Sequence, residues 1–561
     1  MRLIRILPRA VPWVIAALFG PVASNATART LPASHLGKTS GVAKCDAMRN
    51  LRLDRATVTS AVFTQAGKAI LQDRDGKAVP APQLPTFCRI NLTMRPESGS
   101  AIGVELWLPA AGWNGRFLAT GNGGGGGRLS LGNPMMQNLR RGFAVANSDL
   151  GTAPNVLTTM GQPARWRDFG HRANHEMTRA ARRFIKAFYG KPPQYSYFMG
   201  CSTGGQQALV NAQLYPADYD GILVGAPAQD RTHIHMSFVW NWNALVETPG
   251  SRLSNIKLDL VHRAIIKACG RGKDGGAPSD TYLTDPRGCR FEDVDVPRCN
   301  AGDQEDCLTD AQFLALRKVY GGAVNPRSGE QNLCACRDRQ RGDAAGPRDA
   351  AARHLAAHPI LPLYWVFGRD TFKPALFDFD RDVDRVDGAL AGILNANSTD
   401  LVPFRRHGGK ILWYHGLSDP VIPFDTSIDY YERLLRASGG DLADVQDYMR
   451  LFLVPGMAHC VRGPGAWNIG QDVAPGTETS ADRDALIALV QWVERSRVPA
   501  QLTGTRFEDD DVRKPIVAQR PLCPYPAFPY YAGGDPALAT SFRCKARTRG
   551  NVHASAVRYL N

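Results

Sequence analysis

Two short runs of this 561-residue chain carry residue types that can do nucleophilic chemistry: Gly200-Cys201-Ser202-Thr203-Gly204 and, far downstream, His459-Cys460. Apolar Tyr195 to Met199 precedes the first run and Gly205-Gln206-Gln207-Ala208-Leu209-Val210 follows it, so it reads as strand, sharp turn and helix. In that context a Gly-x-Ser-x-Gly turn lifts a serine hydroxyl above the end of a sheet. The pattern alone is weak, and the flanking cysteines strengthen it. If Ser202 and His459 come within hydrogen-bond reach, ~3 Å, Cys201 and Cys460 approach the ~4.4–6.8 Å Cα separation of a disulfide. With 12 cysteines in the chain, chance flanking of both residues arises roughly twice in a thousand. We therefore expect a Cys201–Cys460 bridge that staples nucleophile to base.

A hydrolase built on such a turn orders its catalytic residues Ser, then Asp or Glu, then His along the chain. Late in the sequence four histidines stand as candidates: His407, His415, His459 and His553. His407 and His553 lie in basic polar stretches and His415 in a strand-like apolar run, which suits solvated or structural roles. His459 follows Tyr448 to Val454 through the turn Pro455-Gly456-Met457-Ala458, where a late strand would present a base. Asp419, after Lys410 to His415 and Gly416-Leu417-Ser418, is the expected acid; Asp425 is the fallback, and a solvated turn aspartate is the competing reading. In this arrangement His459 takes the Ser202 proton and Asp419 holds the imidazole tautomer. The oxyanion then needs N–H donors, expected from Thr203 and from Gly123 or Gly124 in the run Gly121 to Gly127, where backbone without Cβ approaches closely. No Lys-Ser or Lys-Thr follows that run, which argues against a phosphate cradle.

These residues require a sheet to hold them. From about residue 100, strand-like and helix-like segments alternate, which predicts an α/β class protein. Candidate strands are Ile102 to Leu108, Phe117 to Thr120, Phe143 to Ala146, Tyr195 to Met199, Gly221 to Val224, Lys410 to His415 and Tyr448 to Val454. Helical spacing marks residues 172–189, closed by Gly190-Lys191-Pro192-Pro193, as well as Ile428 to Ala437 and Ala485 to Ser496. Between Ala228 and Ala396 the alternation lapses into an Asp- and Gly-rich, cysteine-containing stretch. The expected organisation is a core of residues 29–228 and 397–561 split by a lid domain at 229–396. Residues 333–357 show no periodicity.

Arg2, Arg5 and Arg9 before the apolar stretch Val11 to Val22, with Ala26-Thr27-Ala28 after it, read as a secretory signal peptide over residues 1–28. The stretch is shorter than the ~20 residues of a membrane span, so no membrane insertion is expected. Net charge is +15, with 44% hydrophobic and 21% charged residues. The basic residues are scattered and not interleaved with stacking aromatics, so nucleic-acid binding is not expected. Export suits an even cysteine count read as disulfides. Spacing suggests Cys45–Cys88, Cys269–Cys289, Cys299–Cys307 and Cys523–Cys544, leaving Cys334 and Cys336 unassigned.

On these residues the chain resembles the tannase and feruloyl esterase family. The resemblance is carried by Gly200 to Gly205, Tyr215-Pro216 with Tyr219-Asp220-Gly221-Ile222, Gly225-Ala226-Pro227-Ala228, Asn395 to Leu401, Tyr414-His415-Gly416 with Asp419-Pro420, and Gly456-Met457-Ala458-His459-Cys460. It implies an α/β-hydrolase fold with a large inserted lid, and a secreted serine esterase that cleaves small esters of aromatic acids such as ferulate or gallate. The chemistry would need no cofactor. The resemblance also implies a structural calcium loop after Cys269. Here that run is Cys269-Gly270-Arg271-Gly272-Lys273-Asp274-Gly275-Gly276-Ala277-Pro278-Ser279-Asp280, leaving Asp274, Asp280 and the Tyr282 carbonyl as candidate ligands. Trp365 and Phe367 of the lid are candidates to stack on the acid's ring, with core packing as their competing role. The alternatives are a non-catalytic binding protein on this fold, an esterase for terephthalate-type monoesters, and a peptidase.

Overall fold

The computed structural model describes residues 40–72, 76–331, 361–472 and 480–547. Nine strands form one mixed sheet: β1 (Ala56–Thr64), β2 (Phe87–Met94), β3 (Ile102–Pro109), β4 (Arg116–Thr120), β5 (Ala144–Ser148), β6 (Tyr195–Cys201), β7 (Gly221–Gly225), β8 (Lys410–Gly416) and β9 (Met449–Val454). Across the sheet they run β1-β2-β3-β5-β4-β6-β7-β8-β9. Neighbours from β1 to β5 pair antiparallel. Every later neighbour pair is parallel. Parallel strands are covered on both faces, so they appear in sequence as unbroken apolar runs such as Ile411-Leu412-Trp413-Tyr414, all buried. The edge strand β1 alternates exposed and half-buried positions over Thr- and Ser-rich sequence. The expectation that regular structure starts near residue 100 therefore misses β1 and β2.

Helices used below are α1 (Ala173–Tyr189), α2 (Thr203–Leu214), α3 (Arg231–Trp242), α4 (Asn255–Cys269), α5 (Asp310–Gly321), α6 (Leu361–Phe367), α7 (Asp382–Leu394), α8 (Asp425–Ala437) and α9 (Ala485–Arg495). α1 buries Met177, Phe184 and Ile185 at helical spacing and ends where Gly190 turns left-handed at φ 79° and returns its N–H to Lys186 O. With Leu209 of α2 and Ile428 and Leu434 of α8, these side chains form the core on one face of the sheet. Leu486, Leu489 and Trp492 of α9 pack with Met135 and Leu139 in a separate core cluster. This is the expected α/β-hydrolase architecture.

Strands β7 and β8 are adjacent and parallel, yet residues 226–409 lie between them and contain α3 to α7. That insertion has its own apolar clusters, one around Met236, Val239, Leu363 and Val383, another around Val261, Ile265, Phe291 and Leu316. Leu390 and Leu394 of α7 pack instead into the core of the main sheet. The described residues from Gly41 onward belong to one compact unit.

Among the described residues five disulfides join Cys45–Cys88, Cys201–Cys460, Cys269–Cys289, Cys299–Cys307 and Cys523–Cys544, with Cα–Cα distances of 5.0–5.9 Å. Among the described residues no helix is long and apolar enough to cross a membrane. The expected signal peptide, the 333–357 stretch, Cys334 and Cys336 lie outside the described residues.

Candidate active site

Strand β6 ends at Cys201, and Ser202 turns the chain at φ 64°, ψ −120° before α2 begins at Thr203. A non-glycine residue rarely adopts positive φ, so the surroundings must impose it. They do so with three backbone bonds: Ser202 N–H donates to Gly225 O, while Gln206 N–H and Ala228 N–H donate to Ser202 O, each at 3.0 Å. The turn also demands close approach. A Cβ on Gly200 would stand 2.6 Å from Gly204 O, and one on Gly121 would stand 2.6 Å from Gly204 Cα. The glycine run after β4 is thus pressed against the start of α2.

The next strand ends supply the other groups. Asp419 follows β8 and is buried; its Oδ1 accepts from Val421 N–H at 2.8 Å and Ile422 N–H at 3.0 Å. Its Oδ2 lies 2.7 Å from His459 Nδ1. Burial acts to raise this carboxyl's pKa, but the neighbouring His459 and His415 outweigh it and hold the group well below the usual carboxylate range. Nδ1 of His459 faces Asp419, so Nε2 is on the side of the ring turned away from that carboxylate. The turn carrying His459 packs tightly on β8: Ser418 N–H donates to Met457 O at 2.9 Å. Asp425, the fallback acid, opens α8 instead.

The Cys201–Cys460 bridge ties the two regions together. Consecutive Cα atoms are ~3.8 Å apart, so a bridge with Cα–Cα 5.9 Å keeps the backbones of Ser202 and His459 within about 14 Å. Thr203, expected to supply an oxyanion donor, is buried and begins α2, and its hydroxyl reaches Gly124 O at 2.5 Å. Gly124 has φ 58°, which favours glycine there. Gly123 is exposed, and a Cβ there would meet nothing.

Three further residues lie near this constellation: Arg231 and Phe169, which carry no sequence signal of their own, and His415, which the sequence places in a strand-like run without linking it to Asp419. Arg231, at the start of α3, donates to Gly124 O at 3.0 Å and Thr203 Oγ1 at 2.7 Å. His415 Nε2 lies 3.4 Å from Asp419 Oδ2. Phe169 lies under the Arg231 guanidinium at 5.1 Å. Only the folded chain brings them to the site.

The lid aromatics are engaged with protein. Trp365 is 7% exposed, stacks on Trp166 at 5.2 Å and meets Phe169 edge-on at 5.8 Å. Phe367 packs on Phe372 and Phe377 and lies under Arg385. The calcium ligands expected from the resemblance have other partners too. Asp274 accepts from Gly276 and Thr284 N–H, and Asp280 accepts from Ala277 N–H at 2.8 Å and from Arg520 Nη2 at 2.9 Å. Arg547 donates to Asp274 O and to Asp285 Oδ2. Tyr282 is buried beside them. Two guanidinium groups among these acceptors do not fit a hard cation, which wants oxygens free of competing positive charge. Among the described residues no group of three or more His, Cys, Asp or Glu side chains is placed to hold a metal ion.

The family model described as tannase and feruloyl esterase matches residues 88–545. An uncharacterized esterase of Xanthomonas campestris pv. campestris is 33% identical over 93% of this chain and 95% of its own. A probable feruloyl esterase B of Emericella nidulans is 31% identical over 82% of this chain and 86% of its own. Among solved structures, feruloyl esterase B from Aspergillus oryzae superposes with TM-score 0.80 at 26% identity, covering 90% of this chain and all of that one. Tannin acyl hydrolase from Aspergillus niger shares the fold, with TM-score 0.65 at 20% identity over 89% and 93% of the two chains. With its model matched over most of the sequence and relatives at this level of identity, the chain belongs to the tannase and feruloyl esterase family and is a carboxylic ester hydrolase.

Proposed function

We propose that this chain is a secreted serine esterase that cleaves esters of aromatic, phenolic acids through an acyl-enzyme. The observation that carries the reading is the 2.7 Å contact of His459 Nδ1 with buried Asp419, next in sequence to a bridge that ends beside Ser202. With Nδ1–H committed to the carboxylate, Nε2 is the base. Ser202 Oγ attacks the ester carbonyl carbon and passes its proton to Nε2. The Thr203 N–H and the glycine loop stabilise the oxyanion. Collapse expels the alcohol, which takes the proton from His459. Water, deprotonated by His459, then attacks the acyl-enzyme and releases the acid and free Ser202.

Five disulfides support an oxidising compartment. The aromatic-acid preference rests on the named relatives. A hydrolysis panel of methyl ferulate, methyl gallate, chlorogenate and a terephthalate monoester, run beside Ser202→Ala, tests both parts. Turnover of the phenolic esters that vanishes in Ser202→Ala is expected. Undiminished turnover in that variant would remove the serine mechanism, and preference for the terephthalate monoester would move the substrate class.

A further inference from the structure

The glycine run beside Ser202 raises a mechanical problem. Glycine backbone is the most mobile there is, yet an oxyanion donor works only when it is held in place before the reaction. Something outside the loop must fix it. Arg231 contacts both elements involved: Nη2 donates to Gly124 O at 3.0 Å, and Nη1 donates to Thr203 Oγ1 at 2.7 Å and to Gln206 Oε1 at 3.2 Å.

Hydrogen-bond direction follows from the donor inventory. A guanidinium cannot accept, so Thr203 Oγ1 accepts from Arg231 and its own proton goes to Gly124 O, 2.5 Å away. Gly124 O thus receives two donors, which sets the plane of the Gly124–Gly125 peptide. By peptide planarity the Gly125 N–H points away from Arg231.

The guanidinium is itself held. Arg231 is 3% exposed, lies 5.1 Å above the Phe169 ring, and Phe169 in turn meets Trp365, which stacks on Trp166. Gln206 spans from Arg231 to Leu394 O at the end of α7. None of the three hydrogen-bond acceptors of Arg231 is a carboxylate. A buried cation without a counter-charge is costly; a negative charge developing nearby would offset that cost. Burial draws the pKa of Arg231 down to about 10, which leaves it a cation at neutral pH.

We infer that Arg231 is a positioning residue of the oxyanion site: it clamps the Gly124 carbonyl to the Thr203 hydroxyl, keeps loop and helix start at one spacing, and supplies positive charge behind them. The inference rests on the serine-esterase reading above. Trp365 and Phe169 contribute by seating this guanidinium.

The test compares Arg231→Met, Arg231→Lys and Thr203→Val with wild type in the full chain, using steady-state kinetics on an aryl ester, thermal melts, and inhibition by an arylboronic acid and by the product acid. In Arg231→Met we expect kcat to fall about tenfold or more with KM nearly unchanged. Boronate affinity should drop in step with kcat/KM while product-acid inhibition holds. Arg231→Lys should recover part of kcat. Should Arg231→Met fail to fold, Thr203→Val carries the test, because it removes the bridging hydroxyl and keeps the N–H; its kcat should fall likewise. Wild-type kcat in the folded variants, or equal loss of boronate and product-acid binding, would overturn the clamp while Ser202→Ala stays inactive. Full activity in Ser202→Ala would overturn the serine reading and the clamp with it.

Discussion

His415 Nε2 lies 3.4 Å from Asp419 Oδ2, the same carboxylate oxygen that receives His459 Nδ1 at 2.7 Å. His415 is fully buried, with Nδ1 2.6 Å from Ser427 Oγ and Nε2 3.1 Å from Ile422 O. A carbonyl can only accept, so Nε2 carries the proton and presents it toward Asp419 as well. Replacing the ring with His415→Phe keeps the volume and removes that donor. We expect kcat to fall about tenfold with little change in KM, since Asp419, in the proposed role of orienting His459, loses one of its restraints. Steady-state kinetics checks this; an unchanged kcat would show that His415 serves the strand alone.

The Cys201–Cys460 bridge separates its two cysteines by 259 residues. Chain-entropy reasoning assigns a loop of this size about 5 kcal/mol of stabilisation. Cys201→Ala combined with Cys460→Ala should lower both the melting temperature and kcat, the latter because small offsets between nucleophile and base are costly. Thiol counting by mass spectrometry on the unmodified chain should find neither cysteine free. Wild-type turnover in the double variant would separate the bridge from catalysis.

Asp149 follows β5, where Oδ1 accepts from Gly103 N–H at 2.9 Å and Gly151 N–H at 2.7 Å. Burial pushes its pKa up to about 6, with the backbone donors acting in the opposite direction. An acid whose folded pKa is raised holds its proton in the folded state where the unfolded chain has lost it. Its contribution to stability is therefore greatest below pH ~4, falls as pH rises to about 6, and is constant above. Asp149→Asn keeps the Oδ1 acceptor and removes the charge. The variant should match wild type near pH 4 and exceed it by ~2–3 kcal/mol above pH 6. Denaturant titrations at both pH values decide; a deficit at neutral pH refutes the argument.

Arg520 and Asp280 form an ion pair with side chains only 7% and 8% exposed. Breaking such a pair leaves a buried charge alone, at a cost of ~3–5 kcal/mol. Arg520→Met should lower the melting temperature, while a chelator added to the wild type should leave it unchanged. A chelator-induced drop would show that a cation, rather than arginine, neutralises this corner.

Much of this was legible in the sequence because it depends on patterns that survive in one dimension. The parallel strands β6 to β9 read as apolar runs, and chain order pointed to Asp419 and His459 as neighbours. Thr- and Ser-rich β1 lacks such a run and went unseen. Arg231 was unreadable for a different reason: its partners Gly124, Thr203 and Gln206 lie 107, 28 and 25 residues away, and one arginine at a helix start has no spacing to betray it. Trp365 looked equally suited to a ligand or a core, and only its stacking on Trp166 assigns a partner. The residues after Cys269 kept two aspartates from the expected cation loop, but nothing local announced that arginines from near the C-terminus would reach them.

Four of the bridges close loops of 8 to 43 residues, whereas the fifth spans 259. A chain that emerges N-terminus first can form Cys45–Cys88, Cys269–Cys289 and Cys299–Cys307 while still incomplete. Cys201 must wait unpaired as other thiols pass, until residue 460 arrives. Closing the bridge between the neighbours of Ser202 and His459 is thus a late covalent step of maturation, and a chain halted before residue 460 should carry Cys201 as a thiol open to alkylation. Before that bond forms, a full chain should hydrolyse esters only at the reduced rate expected of the double variant, so the last gain in activity would come from oxidation rather than from folding alone.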